Sequence, residues 1–271
     1  MISVNMLSNY LYCPRKLYLQ YVLKLARPPK DVLIKGRVRH KVFDVINELD
    51  KDIIKGIKSF TPYEDLVMIF RREYSRVVRE VIDQMKLELL EVGVESTTIF
   101  HKLWIIFLKE AQDRAQYVYD FMIHEKVYGD SLWRRLTPKI LTEVSIESNE
   151  LGLKGIVDRI EIHGENYIPI EIKTGKMPSD GVWPGDRIQL EAYMTLLVDE
   201  FNKNIKEGYI DYTDYNERRK ITMNPYVRDN ILTTIQKVND VLKGKLPSIV
   251  TNRNKCVSCS FRSKCHNLDS S

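Results

Sequence analysis

Residues 166–176, NYIPIEIKTGK, decide how this chain reads. Ile168, Ile170 and Ile172 alternate as on the buried face of a β-strand. Glu171 and Lys173 fall between and after them, so a carboxylate and an amine leave the strand on the same side. Upstream, HGEN at 163–166 reads as a hairpin turn centred on Gly164-Glu165, with glycine at the first central position of a type II′ turn. With His163 facing Asn166, Asp158 stands directly across from Glu171 on the same face. Pro169 complicates this register, because a residue without an N–H signals a bulge or an edge strand. Facing carboxylates repel unless a cation lies between them. Two readings follow from the residues alone. One is an Asp–Lys–Glu salt-bridge network on a half-exposed sheet. The other is a hard-oxygen site for Mg²⁺ or Mn²⁺.

Around this stretch the hydrophobic period changes twice. ILTEVSIES, GLKGIVDRIEI and NYIPIEIK predict three strands between about 140 and 173. Residues 186–201 predict a helix, GYIDYT with RKITM a hairpin, and Asn224-Pro225 the start of a last helix ending near Gly244. Before the strands the period is helical: 6–26 with a boundary at Pro14, then a helix carrying GRVRHKVFDVINEL. Two long helices follow as an αα-hairpin, the first capped by Thr61-Pro62 and stopping at Gly93. Helices, a sheet and helices again predict an α/β fold with helices packed on a central sheet.

The 271 residues are 44% hydrophobic and 29% charged, which predicts a packed globule and argues against disorder. The longest apolar run, LWIIFL at 103–108, is too short to span a bilayer. The opening MISVNMLSNYLYCPRK lacks the layout of a signal peptide, so a cytoplasmic protein with no membrane partner is expected. A net charge of +5 is compatible with a nucleic-acid partner without requiring one. LIKGRVRHK (33–41), SLWRRLTPK (131–139) and NERRKITM (216–223) are basic clusters that could meet a DNA backbone, with Trp133 as a base-stacking surface.

Cys256 and Cys259 form a C-x2-C pair able to chelate one metal centre, and Cys265 and the remote Cys13 complete four thiols. A zinc ribbon would bring a second C-x2-C, which is absent, whereas iron–sulfur centres tolerate irregular all-cysteine spacing. A disulfide is the remaining alternative, disfavoured in a reducing compartment.

Gly155-Ile-Val-Asp158, Glu171-Ile-Lys173 and Gln189-Leu-Glu-Ala-Tyr193, with Cys13-Pro-Arg-Lys16 before them and the cysteine cluster after, occur in a telling order. The chain thereby resembles the CRISPR-associated RecB-like exonucleases of PD-(D/E)xK type that carry an iron–sulfur cluster. The resemblance covers about 1–45 and 140–268. It implies a restriction-endonuclease-like (RecB-type) core from 1–45 and 140–245, with a mixed sheet flanked by helices. A helical insertion at 46–139 and a cluster region formed by 246–271 with Cys13 complete the expected organisation.

By the same resemblance Asp158, Glu171 and Ile172 belong to the metal set. His40, following Gly36-Arg-Val-Arg, is a further ligand. Lys173 orients or helps deprotonate the attacking water and offsets phosphate charge. Gln189 and Tyr193 help position the active site or DNA, and Glu143 takes the place of an extra acidic residue. Cys13, Cys256, Cys259 and Cys265 would hold a [4Fe-4S] cluster, and Mn²⁺ or Mg²⁺ would serve catalysis.

The implied function is metal-dependent cleavage of single-stranded DNA, exonucleolytic and 5′ to 3′, in trimming spacer DNA beside the CRISPR integrase. Self-association is compatible with all of this. Two alternatives remain at this level. One is a non-catalytic DNA-binding scaffold of an adaptation complex. The other is the nuclease module of a repair helicase, whose motor would be a separate chain because G-x4-G-K-[ST] is absent.

Overall fold

A computed structural model describes residues 1–26, 31–250, 252–257 and 259–268. These fall into two compact units. The first comprises Met1–Pro28, Glu143–Ile160 and Glu165–Ser271, and the second Pro29–Thr142 with Glu161–Gly164. None of the described helices is long and apolar enough to cross a membrane.

The mixed sheet contains β1 (Ile2–Ser3), β2 (Lys139–Ser148), β3 (Leu153–His163), β4 (Asn166–Lys173), β5 (Glu207–Tyr212) and β6 (Glu217–Thr222). Its order is β1-β3-β4-β5-β6, with β2 also pairing β3. Gly164-Glu165 forms the two-residue turn between β3 and β4, and Gly164 takes φ +61°, a value that favours glycine. β4 therefore lies between two neighbours, and Pro169 sits inside an interior strand, not at an edge. The parallel β5 accommodates it through Gly208, where a Cβ would come within 2.9 Å of the Pro169 carbonyl oxygen.

β4 and β5 run parallel, so a crossover must return the chain, and α8 (Pro184–Phe201) supplies it. Pro184 opens α8 at its first turn. Ile188 through Leu197 are all buried, because α8 packs on β4 and β5 and also against α1 (Val4–Tyr12) and α9 (Tyr226–Leu242). A helix covered on all sides needs no polar stripe. Pro14 starts α2 (Pro14–Tyr21), which leaves Cys13 at the junction of α1 and α2. α9 is not the last helix: α10 (Arg253–Val257) and α11 (Arg262–Asn267) follow and carry Cys256 and Cys265.

The second unit is helical, built from α3 (Asp31–Gly56), α4 (Tyr63–Gln84), α5 (Lys86–Glu91), α6 (Ser96–Glu125) and α7 (Gly129–Arg135). α4 and α6 bury facing stripes, with Phe70, Val77 and Val81 on one and Phe107, Ala111 and Val118 on the other. Phe43 of α3 packs on Phe107 with ring centroids 4.7 Å apart. A buried ion pair joins Arg114 of α6 to Asp50 of α3, with Nε donating to Oδ1 at 2.9 Å. The expected Thr61-Pro62 cap is displaced by one residue: Pro62 is the N-cap, and Thr61 Oγ1 donates to the Ser59 carbonyl instead.

Candidate metal centre and cysteine cavity

Position 171 lies on a strand covered from both sides, and Glu171 is only 3% exposed. A half-exposed sheet face is therefore not its setting. Lys173 Nζ lies 2.7 Å from Glu171 Oε1, donates to Gln189 Oε1 at 2.8 Å, and stands 3.5 Å from Asp186 Oδ1. Asp158 Oδ2 accepts the Ile172 N–H at 2.7 Å, which clamps the β3 carboxylate to the β4 main chain. A carboxylate oxygen of Glu143 lies within 4.8 Å of one on Asp158. Glu143 holds φ +47° inside β2, a left-handed value uncommon for a residue with a side chain.

Gln189 and Tyr193 are one turn apart on α8. Gln189 Nε2 donates to Asn5 Oδ1 at 3.1 Å and approaches the Tyr193 hydroxyl at 3.5 Å. This arrangement leaves Gln189 Oε1 to face the ammonium. Burial opposes the charge on Lys173, but Glu171, Asp186 and Asp158 outweigh it and hold its pKa above the ordinary lysine value. Lys173 is thus held as an ammonium that donates to its acidic and amide neighbours. Burial and the nearby Glu171, Asp158 and Glu143 carboxylates raise Tyr193 well above the usual phenol range, so its hydroxyl stays neutral.

The neighbouring carboxylate oxygens of Asp158 and Glu143 are hard donors of the kind that suits Mg²⁺ or Mn²⁺, and an isoleucine such as Ile172 can offer only its main-chain carbonyl. His40 lies on α3 in the helical unit.

The four cysteines are all free thiols, half-buried, and line one cavity together with Tyr12, Arg15 and Lys255. Arg15, 2% exposed, donates to the carbonyls of Pro247 (3.0 Å) and Cys265 (3.3 Å), and Lys255 Nζ donates to the Tyr12 carbonyl at 2.8 Å. Burial raises the Cys265 thiol; Arg15 opposes the shift, whereas the Cys13 and Cys259 thiols add to it. Crowded sulfurs at one concavity are a soft donor set that fits an all-thiolate centre, since a bound cation favours the thiolate forms. The described disposition contains no disulfide among these four.

A family model of the PD-(D/E)XK nuclease superfamily matches residues 1–266. The chain belongs to that superfamily. Among curated relatives, the CRISPR-associated exonuclease Cas4/endonuclease Cas1 fusion of Leptospira interrogans is 30% identical over 152 residues, covering 52% of this chain and 28% of that protein. The CRISPR-associated exonuclease Cas4 of Rhodospirillum rubrum is 29% identical over 126 residues, covering 45% and 38%. The DNA replication ATP-dependent helicase/nuclease JHS1 of Arabidopsis thaliana is 22% identical over 279 residues, covering 93% and 19%. The chain thus spans well under half the length of each of these proteins.

Of the residues named from sequence, Asp158, Glu171, Lys173, Gln189 and Tyr193 of this superfamily member meet at one end of the sheet. Asp186, Asn5 and Tyr212 join them without having been anticipated. A first-turn aspartate three residues before Gln189 was the available signal for Asp186. The 216–223 cluster is largely engaged within the chain: Arg218 pairs with Asp211, Arg219 with Glu217, and Lys220 with Glu207. Trp133 carries the Lys139 ammonium 4.2 Å from its ring centroid.

Gly155 shows how tightly α8 seats over β3. A Cβ there would lie 2.6 Å from Tyr193 Cε1 and 2.9 Å from Val4 Cγ2. Gly155→Ala is expected to cost about 1–3 kcal/mol through overpacking. A thermal midpoint lowered by several degrees, with slower cleavage as Tyr193 is displaced, is the result to look for. An unchanged midpoint would show that Tyr193 yields freely.

Proposed function

We propose that this chain is a metal-dependent deoxyribonuclease of the CRISPR-associated RecB-like type. The observation that carries this reading is the buried Lys173 held between Glu171 and Gln189, beside an Asp158 fixed on the adjoining strand. Asp158, Glu171 and the Ile172 carbonyl would hold Mn²⁺ or Mg²⁺, with His40 of the Gly36-Arg-Val-Arg-His40 pattern as a further proposed ligand. A divalent ion so held polarises a phosphoryl group and lowers the pKa of its water. The protein's own part is to keep three things fixed. Ile172 N–H holds the Asp158 carboxylate in one orientation. Lys173 presents a positive charge where negative charge develops on phosphate. Gln189, oriented by Asn5 and the Tyr193 hydroxyl, keeps that lysine aimed.

Single-stranded DNA as substrate, 5′ to 3′ exonucleolytic polarity and action on spacer DNA are finer parts of the same proposal. They are supported by the resemblance and by relatives whose names include CRISPR-associated exonuclease. A Cas1-type integrase is the proposed protein partner, since some relatives are named as fusions to such an endonuclease. We further assign a [4Fe-4S] cluster to Cys13, Cys256, Cys259 and Cys265, supported by their shared cavity. Such a cluster would tie the two chain ends together.

The test uses purified protein with single- and double-stranded DNA labelled at either end, in Mn²⁺, Mg²⁺ or EDTA. Cleavage that requires the metal and releases short products from the 5′ end first is expected. Equal degradation in EDTA would refute the metal-dependent mechanism, and product released only from the 3′ end would refute the polarity.

A further inference from the structure

Lys173 Nζ has a further ionic partner that neither the sequence motifs nor the proposed metal set uses. Asp186 Oδ1 stands 3.5 Å away as an ion-pair partner, in addition to Glu171 and Gln189. Its other oxygen, Oδ2, accepts the Tyr212 hydroxyl at 3.0 Å. Tyr212 is 1% exposed and is the parallel β5 partner of Lys173 itself. The three residues therefore come from β4, α8 and β5, the three segments of one crossover unit. Asp186 also lies in the first turn of α8, where the helix end favours a carboxylate. Burial, then Asp186, pushes the Tyr212 hydroxyl up to about 12, so it remains a donor to that carboxylate.

The placement solves a conflict. Glu171 is wanted twice: by the ammonium 2.7 Å away and by the divalent ion it would help hold. A buried ammonium requires a counter-charge, and a carboxylate committed to a dication no longer supplies a full one. Gln189 offers a dipole only. Asp186 offers a full charge, held in position by the Tyr212 hydroxyl.

We propose that Asp186 is a positioning residue that retains Lys173 when Glu171 engages the metal, so that lysine and metal do not compete for the same carboxylate. The purpose assigned here rests on the metal-dependent reading above; the anchoring of Lys173 by Asp186 does not. Tyr212 acts through Asp186 by fixing which way that carboxylate faces.

The test is a double-mutant cycle on metal binding, joined to a direct view of the lysine. Mn²⁺ affinity is measured by calorimetry for wild type, Asp186→Asn, Lys173→Met and the double variant. The isosteric Asp186→Asn is expected to weaken Mn²⁺ binding on the order of tenfold, as substitutions behind a metal ligand do. In the Lys173→Met background, with no ammonium left to claim Glu171, the same change should have little effect. An equal loss in both backgrounds would mean that Asp186 is merely a nearby negative charge, and the proposal falls.

In parallel, ¹⁵N spectra of the lysine ammonium groups, with the Lys173 signal assigned by its absence in Lys173→Met, are recorded with and without Mg²⁺. The Lys173 signal should survive Mg²⁺ in wild type, disappear in Asp186→Asn, and weaken in Tyr212→Phe, which keeps the ring and removes the donor. A Lys173 signal in Asp186→Asn as persistent as in wild type overturns the anchoring. Should wild type bind no Mn²⁺, the metal-nuclease reading fails; a metal-free Lys173 signal weaker in Asp186→Asn than in wild type would then still support the anchoring, and an equal one would overturn it.

Discussion

Lys173→Ala is expected to cleave DNA about 10²–10³-fold more slowly than wild type, a barrier increase of about 3–4 kcal/mol. The same variant should bind Mn²⁺ at least as well as wild type. Removing the ammonium leaves Glu171 without the cation 2.7 Å away, and the carboxylate becomes freer to bind a metal. Asp158→Ala should also cleave at least about 10²-fold more slowly, but for the opposite reason. It removes a carboxylate from the proposed donor set and leaves the Ile172 N–H without the oxygen that accepts it at 2.7 Å. The two variants are thus alike in a cleavage assay and distinguishable by calorimetry. Full activity in both would mean that cleavage occurs elsewhere. Loss of Mn²⁺ binding in Lys173→Ala would mean that the lysine organises the carboxylates and does not compete for them.

The strands and their charged residues were legible because a period of two survives wherever isoleucines alternate, as at 168, 170 and 172. The two-residue turn was legible because Gly164 carries the positive φ that its type requires. Pro169 was the misleading residue. The argument against proline in a central strand concerns the missing N–H and takes no account of a glycine opposite, and Gly208 provides that relief on β5. α8 was legible as a helix but not as a central one, since burial on every side removes the amphipathic stripe that periodicity detects.

Asp186 escaped sequence reasoning for a different reason. Its contacts with Lys173 and Tyr212 span 13 and 26 positions, and only the β4–α8–β5 crossover brings them together. Charge pairs closed by topology leave no local spacing to read. The cysteines show the converse case. Their grouping was readable from C-x2-C and Cys265, whereas the contacts of the buried Arg15 with Pro247 and Cys265 span 232 and 250 positions and carry no local signal.

Cys13→Ser should therefore act on stability far more than on catalysis. Cys13 lies between α1 and α2, and its three partners in the cavity belong to the segment carrying α10 and α11. A cross-link between such distant positions removes much of the freedom of the unfolded chain; for loops beyond 100 residues the closure contribution is about 4–5 kcal/mol. At roughly 2–4 °C per kcal/mol for a chain of this size, the thermal midpoint should fall on the order of 10 °C. Bound iron should fall with it. The fold should nevertheless persist at low temperature, because Arg15 and Lys255 join the same two regions through hydrogen bonds that do not involve a thiol. Below its own midpoint, Cys13→Ser should keep metal-dependent cleavage close to the wild-type rate, since Asp158, Glu171 and Lys173 are held by β3, β4 and α8. A colourless, iron-free wild type would remove the cluster from this account. A variant with an unchanged midpoint would show that Arg15 and Lys255 suffice. A variant of normal midpoint but abolished cleavage would show that the cysteine region acts on the catalytic centre through α1, whose Asn5 reaches Gln189.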